Sequence, residues 1–404
     1  MWTWRRSKSS SASRALTWAE CRMLRTICRC CVLVLGAAAA LRLAPWAWAA
    51  MGLPALSPFV AISSAVAMRA AGIGLLLGLP ALALALAVDR GICRYACPMG
   101  LLLEWVSRLR PRARPRRLPP LGHWALLLTL GGAAAGYPLL IWLDPFALFH
   151  GFVGALRPPV TALALLSAVG VPALGLFSLI LPRAWCGRVC PLGAMQELLT
   201  TARRTLGSEE PSPAPAAEPS VLRRSVLAMG LGAAWAMATL RRPRAAGARP
   251  VRPPGALDEA RFPGACVRCG NCMRACPTRI LRPDTASVAG FLAPVAEFSG
   301  GYCREDCAAC GEVCPSGAIA RLPIGRKRAT PMGIAKVDMG LCALTHGREC
   351  SACILRCPYE AITTAFNEED YTTTLRVDAG RCPGCGACEL ACPMPIKAIV
   401  VHPV

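Results

Sequence analysis

Apolar residues dominate the first 245 positions in long runs, and polar residues are more frequent beyond them. Continuous apolar stretches lie near residues 31–50, 71–88, 121–143 and 159–182. Each is about long enough to cross a bilayer as a helix, which takes about 20 residues. The pattern therefore predicts a four-helix membrane domain over residues 31–205, after a polar N-terminal segment over residues 1–30.

Basic residues alternate between the loops of this membrane domain. Residues 1–29 carry seven Lys and Arg, the loop 89–117 carries eight Arg, and 183–204 carries four, whereas 51–70 and 144–158 hold one each. Basic loops remain on the cytoplasmic side of a membrane. We therefore expect the N-terminus and both Arg-rich loops to be cytoplasmic, which makes the domain two antiparallel hairpins of a multi-pass protein in a bacterial inner membrane.

The two hairpins carry the same cysteine motif. "RGICRYACPMG" and "RAWCGRVCPLG" share the pattern Cys-x3-Cys-Pro-x-Gly, at a constant offset of 93 residues. The four cysteines, Cys93, Cys97, Cys186 and Cys190, each follow a predicted span on the cytoplasmic side. Four thiolates are enough to hold one [4Fe–4S] cluster across the repeat. The alternative is four buried or redox-active thiols, and the repetition of the motif favours the cluster.

Four further cysteine motifs follow residue 260, and each ends in Cys-Pro. Motifs one and four match the bacterial ferredoxin pattern Cys-x2-Cys-x2-Cys-x3-Cys-Pro, and a zinc module would instead use separated pairs of ligands. The sixteen cysteines therefore predict four [4Fe–4S] clusters. They are Cys266, Cys269, Cys272 and Cys276; Cys303, Cys307, Cys310 and Cys314; Cys342, Cys350, Cys353 and Cys357; and Cys382, Cys385, Cys388 and Cys392.

Short β-type segments accompany the later motifs. "GIAKVDMG" and "TTTLRVDAG" precede the third and fourth motifs, and "KAIVVHPV" ends the sequence. Short strands around dense cysteine motifs are typical of an α+β ferredoxin fold. Residues 245–404 are therefore predicted to form an α+β polyferredoxin domain whose fold depends on its clusters.

A signal-like segment joins the two halves. A Pro/Ala/Ser/Glu linker over residues 206–221 precedes "LRRSVLAMGLGAAWAMATLRRPR", residues 222–244. Two arginines before a short apolar run resemble a twin-arginine export signal. The alternative is that Arg223 and Arg224 only follow the distribution of basic residues around a span, but basic residues also follow this run. We expect a fifth, signal-like or anchor span, with the ferredoxin domain exported in its folded, cluster-loaded state to the periplasm.

Composition excludes two classes of function. The net charge of +22 would suggest nucleic acid as a partner, but the arginines cluster beside apolar spans, where topology explains them. The four histidines, His123, His150, His346 and His402, offer no transmembrane pair, and no Cys-x-x-Cys-His motif exists for covalent haem. We therefore expect an iron–sulfur protein that lies in the lipid bilayer and binds no haem and no nucleic acid.

The motifs resemble two known families joined end to end. Residues 1–205 resemble the NapH/MauN membrane ferredoxin-type proteins, through the spans and paired Cys-x3-Cys-Pro motifs. Residues 222–404 resemble the NapG/MauM ferredoxin-type proteins, especially in the widely spaced third motif, "LCALTHGREC". The resemblance departs in two ways: the cytoplasmic two-cluster domain usual after the fourth span is missing, and the second motif is unusually compact.

The resemblance implies a quinol dehydrogenase component. Such a protein takes electrons from the membrane quinol pool and passes them to a periplasmic reductase or carrier, as in nitrate reduction or methylamine utilisation. Similar four-cluster proteins pair the first motif with the fourth and the second with the third. A redox assembly factor for a periplasmic metalloenzyme remains the alternative function. The cytoplasmic thiols would lie about 30 Å from the periplasmic clusters, the thickness of the hydrocarbon layer.

The loop "YPLLIWLDPFALFH" offers candidate residues for a quinone site. Tyr137, Asp144 and His150 can form hydrogen bonds to a quinol and accept its protons. The alternative, which is the commoner situation, is that Asp144-Pro145 ends a helix and that the aromatic residues form an interfacial belt.

Overall fold

The fold consists of a helical N-terminal half and a smaller α+β C-terminal half. A computed structural model describes residues 18–41, 51–70, 72–109, 118–157, 168–206, 219–241, 249–287, 290–368 and 372–404. The predicted linker therefore falls largely outside the described residues, as do the last residues of the first apolar stretch and of the signal-like segment.

The longer described helices of the N-terminal half differ from the predicted spans. They are α1 (Trp18–Ala40), α2 (Pro58–Met68), α3 (Ile73–Ala87), α4 (Pro98–Arg108), α5 (Leu121–Ala134), α6 (Pro145–Ala155), α7 (Gly170–Ile180), α8 (Pro191–Leu206) and α9 (Pro219–Arg241). Two of them, α2 and α6, lie where the sequence predicted loops. Both begin with a capping side chain, Ser57 or Asp144, followed by proline, which favours the first turn of a helix.

One helix in the described ranges is long and apolar enough to cross a membrane, by length and composition. This segment is Met23–Ala40 in α1, near the N-terminus, whereas α2, α3, α5, α6 and α7 are apolar but have only 10–17 residues. The expectation that four described helices reach spanning length is therefore not met. Residue 71 and residues 158–167, next to α3 and α7, lie outside the described residues.

The two cysteine motifs lie in structural repeats, as predicted. In each, an apolar helix leads into a single π-helical turn and then a second helix: α3, Ile92–Ala96 and α4 in the first copy, and α7, Trp185–Val189 and α8 in the second. Arg90 and Arg183 occupy equivalent positions before these turns, and both adopt positive φ, 53° and 61°. The shared backbone conformation places the cysteines of both copies in equivalent positions.

Helix α9 packs closely against α5 through small residues. A Cβ atom added at Gly131 would overlap the backbone of Met229, and one added at Gly232 would overlap the backbone of Leu128. Close approach at glycine is typical of helices that associate within a membrane. The signal-like helix is therefore an integral part of the helical half in this structure.

Within its described ranges, the C-terminal half contains three two-stranded antiparallel sheets. Their strands are β1 (Leu281–Pro283) with β2 (Pro294–Ala296), β3 (Gly333–Val337) with β6 (Ile399–Pro403), and β4 (Ile362–Asn367) with β5 (Thr372–Val377). The predicted strands correspond to β3, β5 and β6. Short α-helices in the described residues accompany them: α10 (Phe262–Ala265), α11 (Asn271–Ala275), α12 (Ala309–Glu312), α13 (Ile324–Arg328), α14 (Ala352–Leu355) and α15 (Ala387–Ala391).

The sheets define two modules of similar design. In module 1 (residues 249–322), the β1–β2 hairpin separates the first two motifs, and a bridge between Ala256 and Ile319 joins the ends. In module 2 (residues 333–404), the β4–β5 hairpin separates the last two motifs, and β3 pairs with β6. Each module therefore encloses two consecutive cysteine motifs.

Module 1 lies directly against the helical half. Val267 and Cys269 form one buried hydrophobic cluster with Val60, Ile141 and Ala147. Polar contacts support the same interface: Asn271 donates to the carbonyl of Met51 at 3.0 Å, and the Arg268 guanidinium lies over the Trp142 ring, 5.4 Å from its centroid. The first ferredoxin motif is thereby fixed to the helical half.

Candidate functional site

Four thiols from the first two motifs meet in module 1, at a place we call site I. The buried thiol of Cys272 interacts electrostatically with Cys266, Cys269 and Cys314. Cys276 follows α11 with an extended backbone, because the residue before a proline is disfavoured in a helical conformation. This turn directs the fourth cysteine of the motif away from site I.

The second group, site II, receives that fourth cysteine. One cavity in module 1 is lined by Cys276, Cys303, Cys307 and Cys310. Each of the two motifs thus gives three thiols to its own site and one to the other. This exchange is the arrangement that the ferredoxin pattern predicts for neighbouring clusters.

Module 2 repeats the exchange in sites III and IV. Site III comprises Cys357, Cys382, Cys385 and Cys388, whose thiols interact electrostatically. Site IV is a cavity lined by four thiols together with apolar side chains, and those thiols are Cys342, Cys350, Cys353 and Cys392. The structure therefore brings the sixteen predicted cysteines together as four groups of four.

The expected pairing of motifs is wrong. The first motif shares its sites with the second, and the third shares with the fourth, whereas the resemblance implied first with fourth and second with third. The β1–β2 and β4–β5 hairpins are the physical reason, since each returns the chain so that consecutive motifs lie side by side.

Sites II and III are neighbours across the boundary between the modules. The N–H of Cys303 donates to the carbonyl of Cys385 at 2.8 Å. Lys327, on α13 between the modules, is buried and its amine interacts with the Cys303 thiol. The four sites therefore follow one another in space in the order I, II, III, IV.

The buried thiols of these sites are suited to bind a positively charged group. Burial raises the pKa of the Cys272 thiol well above its usual range, and the adjacent cysteines act in the same direction. Burial likewise raises the pKa of Cys388 to about 12. Four buried thiolates repel one another unless iron compensates their charge, so the donor set fits a [4Fe–4S] cluster held by four cysteines.

The four cysteines of the hairpins also meet, as predicted, at what we call the hairpin site. Cys190 interacts electrostatically with Cys93, Cys97 and Cys186. The two copies contribute equivalently, because the N–H of Gly100 donates to Cys97 Sγ at 3.3 Å and Gly193 bonds in the same way to Cys190. The four thiols again match the donor set of a [4Fe–4S] cluster.

Two polar residues of the hairpin site are not recognisable from the motifs. Arg29 of α1 is buried and donates to the carbonyl of Cys93 at 2.6 Å and to Glu104 at 2.7 Å. Gln196 of α8 donates to Cys93 Sγ at 3.1 Å and accepts from the N–H of Ile92 at 3.0 Å. The position of Gln196 directly after the apolar run PLGAM, which follows the second hairpin motif, is the signal that could have identified it.

The hairpin site and site I lie on either side of helix α6. Cys97 and Cys190 belong to the same hydrophobic core as Phe146, and the next residue, Ala147, packs in one cluster with Cys269 of site I. Helix α6 therefore folds back into the helical half instead of forming the external loop that the sequence predicted, and it packs against both sites.

The quinone candidates Tyr137, Asp144 and His150 are all buried. Asp144 accepts from Ser57 Oγ at 2.6 Å and from two N–H groups at the start of α6. It therefore caps the start of α6 as well as the end of the single 3-10 turn Ile141–Leu143. Burial raises the pKa of Asp144 to about 6 and lowers that of His150 to about 3. The low pKa makes His150 a weak proton acceptor, which favours a structural role for this residue.

Within the described ranges, no group of three or more His, Cys, Asp or Glu side chains is placed to hold a single metal ion.

Residues 70–117 and 163–208, which contain the two hairpin motifs, match a 4Fe-4S binding domain. Residues 265–343 and 348–396 match a 4Fe-4S dicluster domain. Both halves of the chain thus match 4Fe-4S domains.

Known proteins resemble the C-terminal part of the chain. The methylamine utilization ferredoxin-type protein MauM of Methylobacillus flagellatus is 37% identical over 190 residues, which cover 45% of this chain and 80% of that protein. The chain belongs to the NapG/MauM family. The ferredoxin-type protein NapG of Escherichia coli is 38% identical over 176 residues, or 40% of this chain and 73% of NapG.

A further family member shows a similar level of likeness. MauM of Paracoccus denitrificans is 36% identical over 165 residues, which cover 39% of this chain and 72% of that protein. No solved structure matches the chain. NapG/MauM membership shows a ferredoxin-type protein with [4Fe–4S] domains.

Proposed function

We propose that this NapG/MauM protein is a membrane-bound electron-transfer component of a quinol dehydrogenase. Oxidation of one quinol to quinone releases two electrons and two protons; the electrons pass to a periplasmic oxidoreductase and the protons to water. The observation that carries the proposal is the succession of thiol sites through both halves. It runs from the hairpin site past α6 to site I, and from Cys303 to Cys385 into module 2.

The sixteen C-terminal cysteines would hold four [4Fe–4S] clusters, and Cys93, Cys97, Cys186 and Cys190 would hold a fifth. When bound, the clusters supply one-electron redox chemistry. The chain positions and polarises the thiols: Gln196 donates to Cys93 Sγ, and the cationic Lys327 lies at Cys303. Such hydrogen bonds and charges tune the potential of an iron–sulfur site.

The membrane placement is part of the same proposal. Two features support a helical half that is anchored in the membrane. One is the apolar segment of α1, and the other is the close packing of α9 on α5 at glycine residues, which is typical of membrane helices. The distribution of arginines supports a cytoplasmic N-terminus and cytoplasmic hairpin motifs in the bacterial inner membrane. The twin-arginine-like segment, 222–244, supports export of residues 245–404 as a folded periplasmic domain joined by the 206–221 linker.

Electrons would leave from site IV, at the far end of the succession. Leu355 on α14 and Ile396 after Cys392 expose large apolar surfaces, 82% and 69% of each residue. Exposed apolar side chains beside a redox site are suited to brief docking of a partner protein. The name of MauM connects that relative with methylamine utilization. We therefore propose, as the electron acceptor, a periplasmic oxidoreductase of methylamine utilization or one that works with NapG.

The test is anaerobic reduction of the full-length oxidised protein in mild detergent by a reduced short-chain quinol. We expect cluster EPR signals within seconds and about 20 irons per chain, four for each of five clusters. Cys190→Ser should lose about four irons, while Cys31→Ser, an exposed cysteine outside the motifs, should lose none. Clusters that are reduced by dithionite but never by quinol would contradict the proposal and favour an assembly factor.

A further inference from the structure

A cavity of about 200 Å³ lies between the helical half and module 1. Helices α2 and α3 form one wall, through residues such as Ala61, Ser64 and Ile73. The end of the second ferredoxin motif forms the other, through Cys314 and Arg321. The cavity therefore belongs to neither half alone and exists only because module 1 docks on the helices.

The size and lining of this junction cavity suit a six-membered ring. An apolar cavity of about 150 Å³ is enough to hold benzene, so about 200 Å³ holds a substituted ring. The lining is mostly apolar, and Met51, Met68 and Leu75 contribute to it. Methionine side chains adapt readily to flat ligands.

Two polar groups interrupt this apolar lining. Ser64 is 6% exposed, and its Oγ has no hydrogen-bond partner in the part of the chain that the structure describes. A buried hydroxyl without a partner is costly, and a ligand oxygen would satisfy it. The Arg321 guanidinium contributes a positive charge and donates to the carbonyl of Glu312 at 3.1 Å.

The cavity adjoins both a redox site and an apolar outer surface. Cys314 in its wall is one of the four thiols of site I. On the other side, Ile73 lines the cavity and is 45% exposed, and the next turn of α3 presents Leu76, which is 65% exposed. A molecule that moves along the lipid-facing surface of α3 would reach the thiol of site I through this opening.

We propose that the junction cavity binds the ring of a membrane quinol, with Ser64 Oγ donating to a ring oxygen. The inference rests on the proposed function, which supplies the quinol, and it names the place where that quinol binds. Tyr137, Asp144 and His150 do not line this cavity. The site differs from the quinone site that the sequence suggested.

The test uses the full-length holoprotein in mild detergent and a photoreactive azidoquinone as the probe. We expect cross-links to peptides within residues 61–75 and 311–321, and suppression of these cross-links by excess decylubiquinone. Gly72→Phe should abolish them, because a side chain at Gly72 meets open space in this lining. Gly175→Phe, at another glycine with open space on α7, is the matched control and should leave them unchanged.

A second pair of variants examines the hydroxyl. Ser64→Ala should weaken decylubiquinone binding roughly fivefold, the value of one hydrogen bond. Ser63→Ala, at a neighbouring buried serine that does not line the cavity, should have no effect.

Cross-links confined to the Tyr137–His150 region, with quinol still reducing the clusters, would overturn the assignment of the quinol to this cavity and leave the proposed function standing. Failure of the wild-type protein both to bind and to be reduced would overturn both.

Discussion

The amide N–H of Cys303 donates to the carbonyl of Cys385 across 2.8 Å, which ties a ligand loop of site II to a ligand loop of site III. The contact forms because the chain at Gly386 adopts a φ of +79° and lies against the ring of Phe298, where a Cβ atom would overlap the ring. A glycine is therefore required beside this junction. The distance between the two modules depends on it.

We expect Gly386→Ala to separate sites II and III. The methyl group would overlap Phe298, and the left-handed backbone adds about 1–2 kcal/mol of strain. The magnetic interaction between the two reduced clusters should weaken, and EPR of the fully reduced protein measures this interaction.

Gly347→Ala is the control for backbone strain alone. Gly347 also has a positive φ, +70°, but an added Cβ atom would meet nothing within 4 Å. The variant should lose about 1 kcal/mol of stability and keep the magnetic interaction. Equal EPR changes in both variants would show that Phe298 does not set the spacing of the modules.

Replacing Gly232 should weaken the attachment of α9 to the helical half. Gly232→Leu places a side chain against the backbone of Leu128 on α5, whereas Gly230→Leu enters open space. Both changes gain the same helix propensity, so their difference isolates the steric effect. We expect Gly232→Leu to be the less stable by about 1–3 kcal/mol in thermal unfolding in detergent. Equal midpoints would argue against a close crossing of α5 and α9.

Local patterns predicted which cysteines the structure brings together, but they did not predict the tertiary contacts around those cysteines. The Cys-Pro motifs and the 93-residue repeat identified the twenty cysteines that the structure gathers, because thiolate spacing and proline turns are properties of a short sequence. Nothing local determines which motif lies beside which. Arg29, some 64 residues from Cys93, reaches it only through the packing of α1, so the sequence presents it as an ordinary basic residue.

Lys327→Met should lower the reduction potential of site II. The buried amine lies at the Cys303 thiol, and a positive charge there stabilises the more negative, reduced state. We expect a fall on the order of 50 mV, since 59 mV corresponds to a tenfold change for one electron. An EPR-monitored redox titration measures the shift. Lys336→Met, which removes an exposed lysine on β3, should not change the potential of site II. An unchanged potential in Lys327→Met would exclude Lys327 as a residue that tunes this site.

Removal of iron should unfold module 2 and leave the helical half largely intact. Cysteines such as Cys353, Cys382 and Cys388 form much of the module 2 core, together with few large apolar side chains. Metal binding to sites of this kind supplies much of the folding free energy, so the module without iron loses most of its stability. Far-ultraviolet circular dichroism after anaerobic chelation should retain helical signal and lose the remainder. Hydrogen exchange that stays slow in β3 and β6 after complete iron loss would contradict this.

His150 should make the stability of the protein depend on pH. Burial, assisted by the charge of Arg274, lowers its pKa to about 3 in the folded state, against about 6.5 in the unfolded chain. The unfolded state therefore binds more protons below pH 6.5, and stability is lost as the pH falls. Asp144, with a pKa raised to about 6, changes stability in the opposite direction as the pH falls through 6, and it offsets part of this loss.

Between pH 7.5 and 6 the wild-type protein should lose roughly 1 kcal/mol through His150, because one pKa unit corresponds to about 1.4 kcal/mol. His150→Gln, which cannot be protonated, should remove this loss from the pH dependence of the unfolding midpoint. His402→Gln, at an exposed histidine on β6, provides the comparison and should retain it. A pH dependence that is the same in His150→Gln and wild type would mean that His150 is protonated as easily in the folded protein as in water. The interface between α6 and module 1 would then contain far more water than the contacts of α6 with Cys269 and Asn271 indicate.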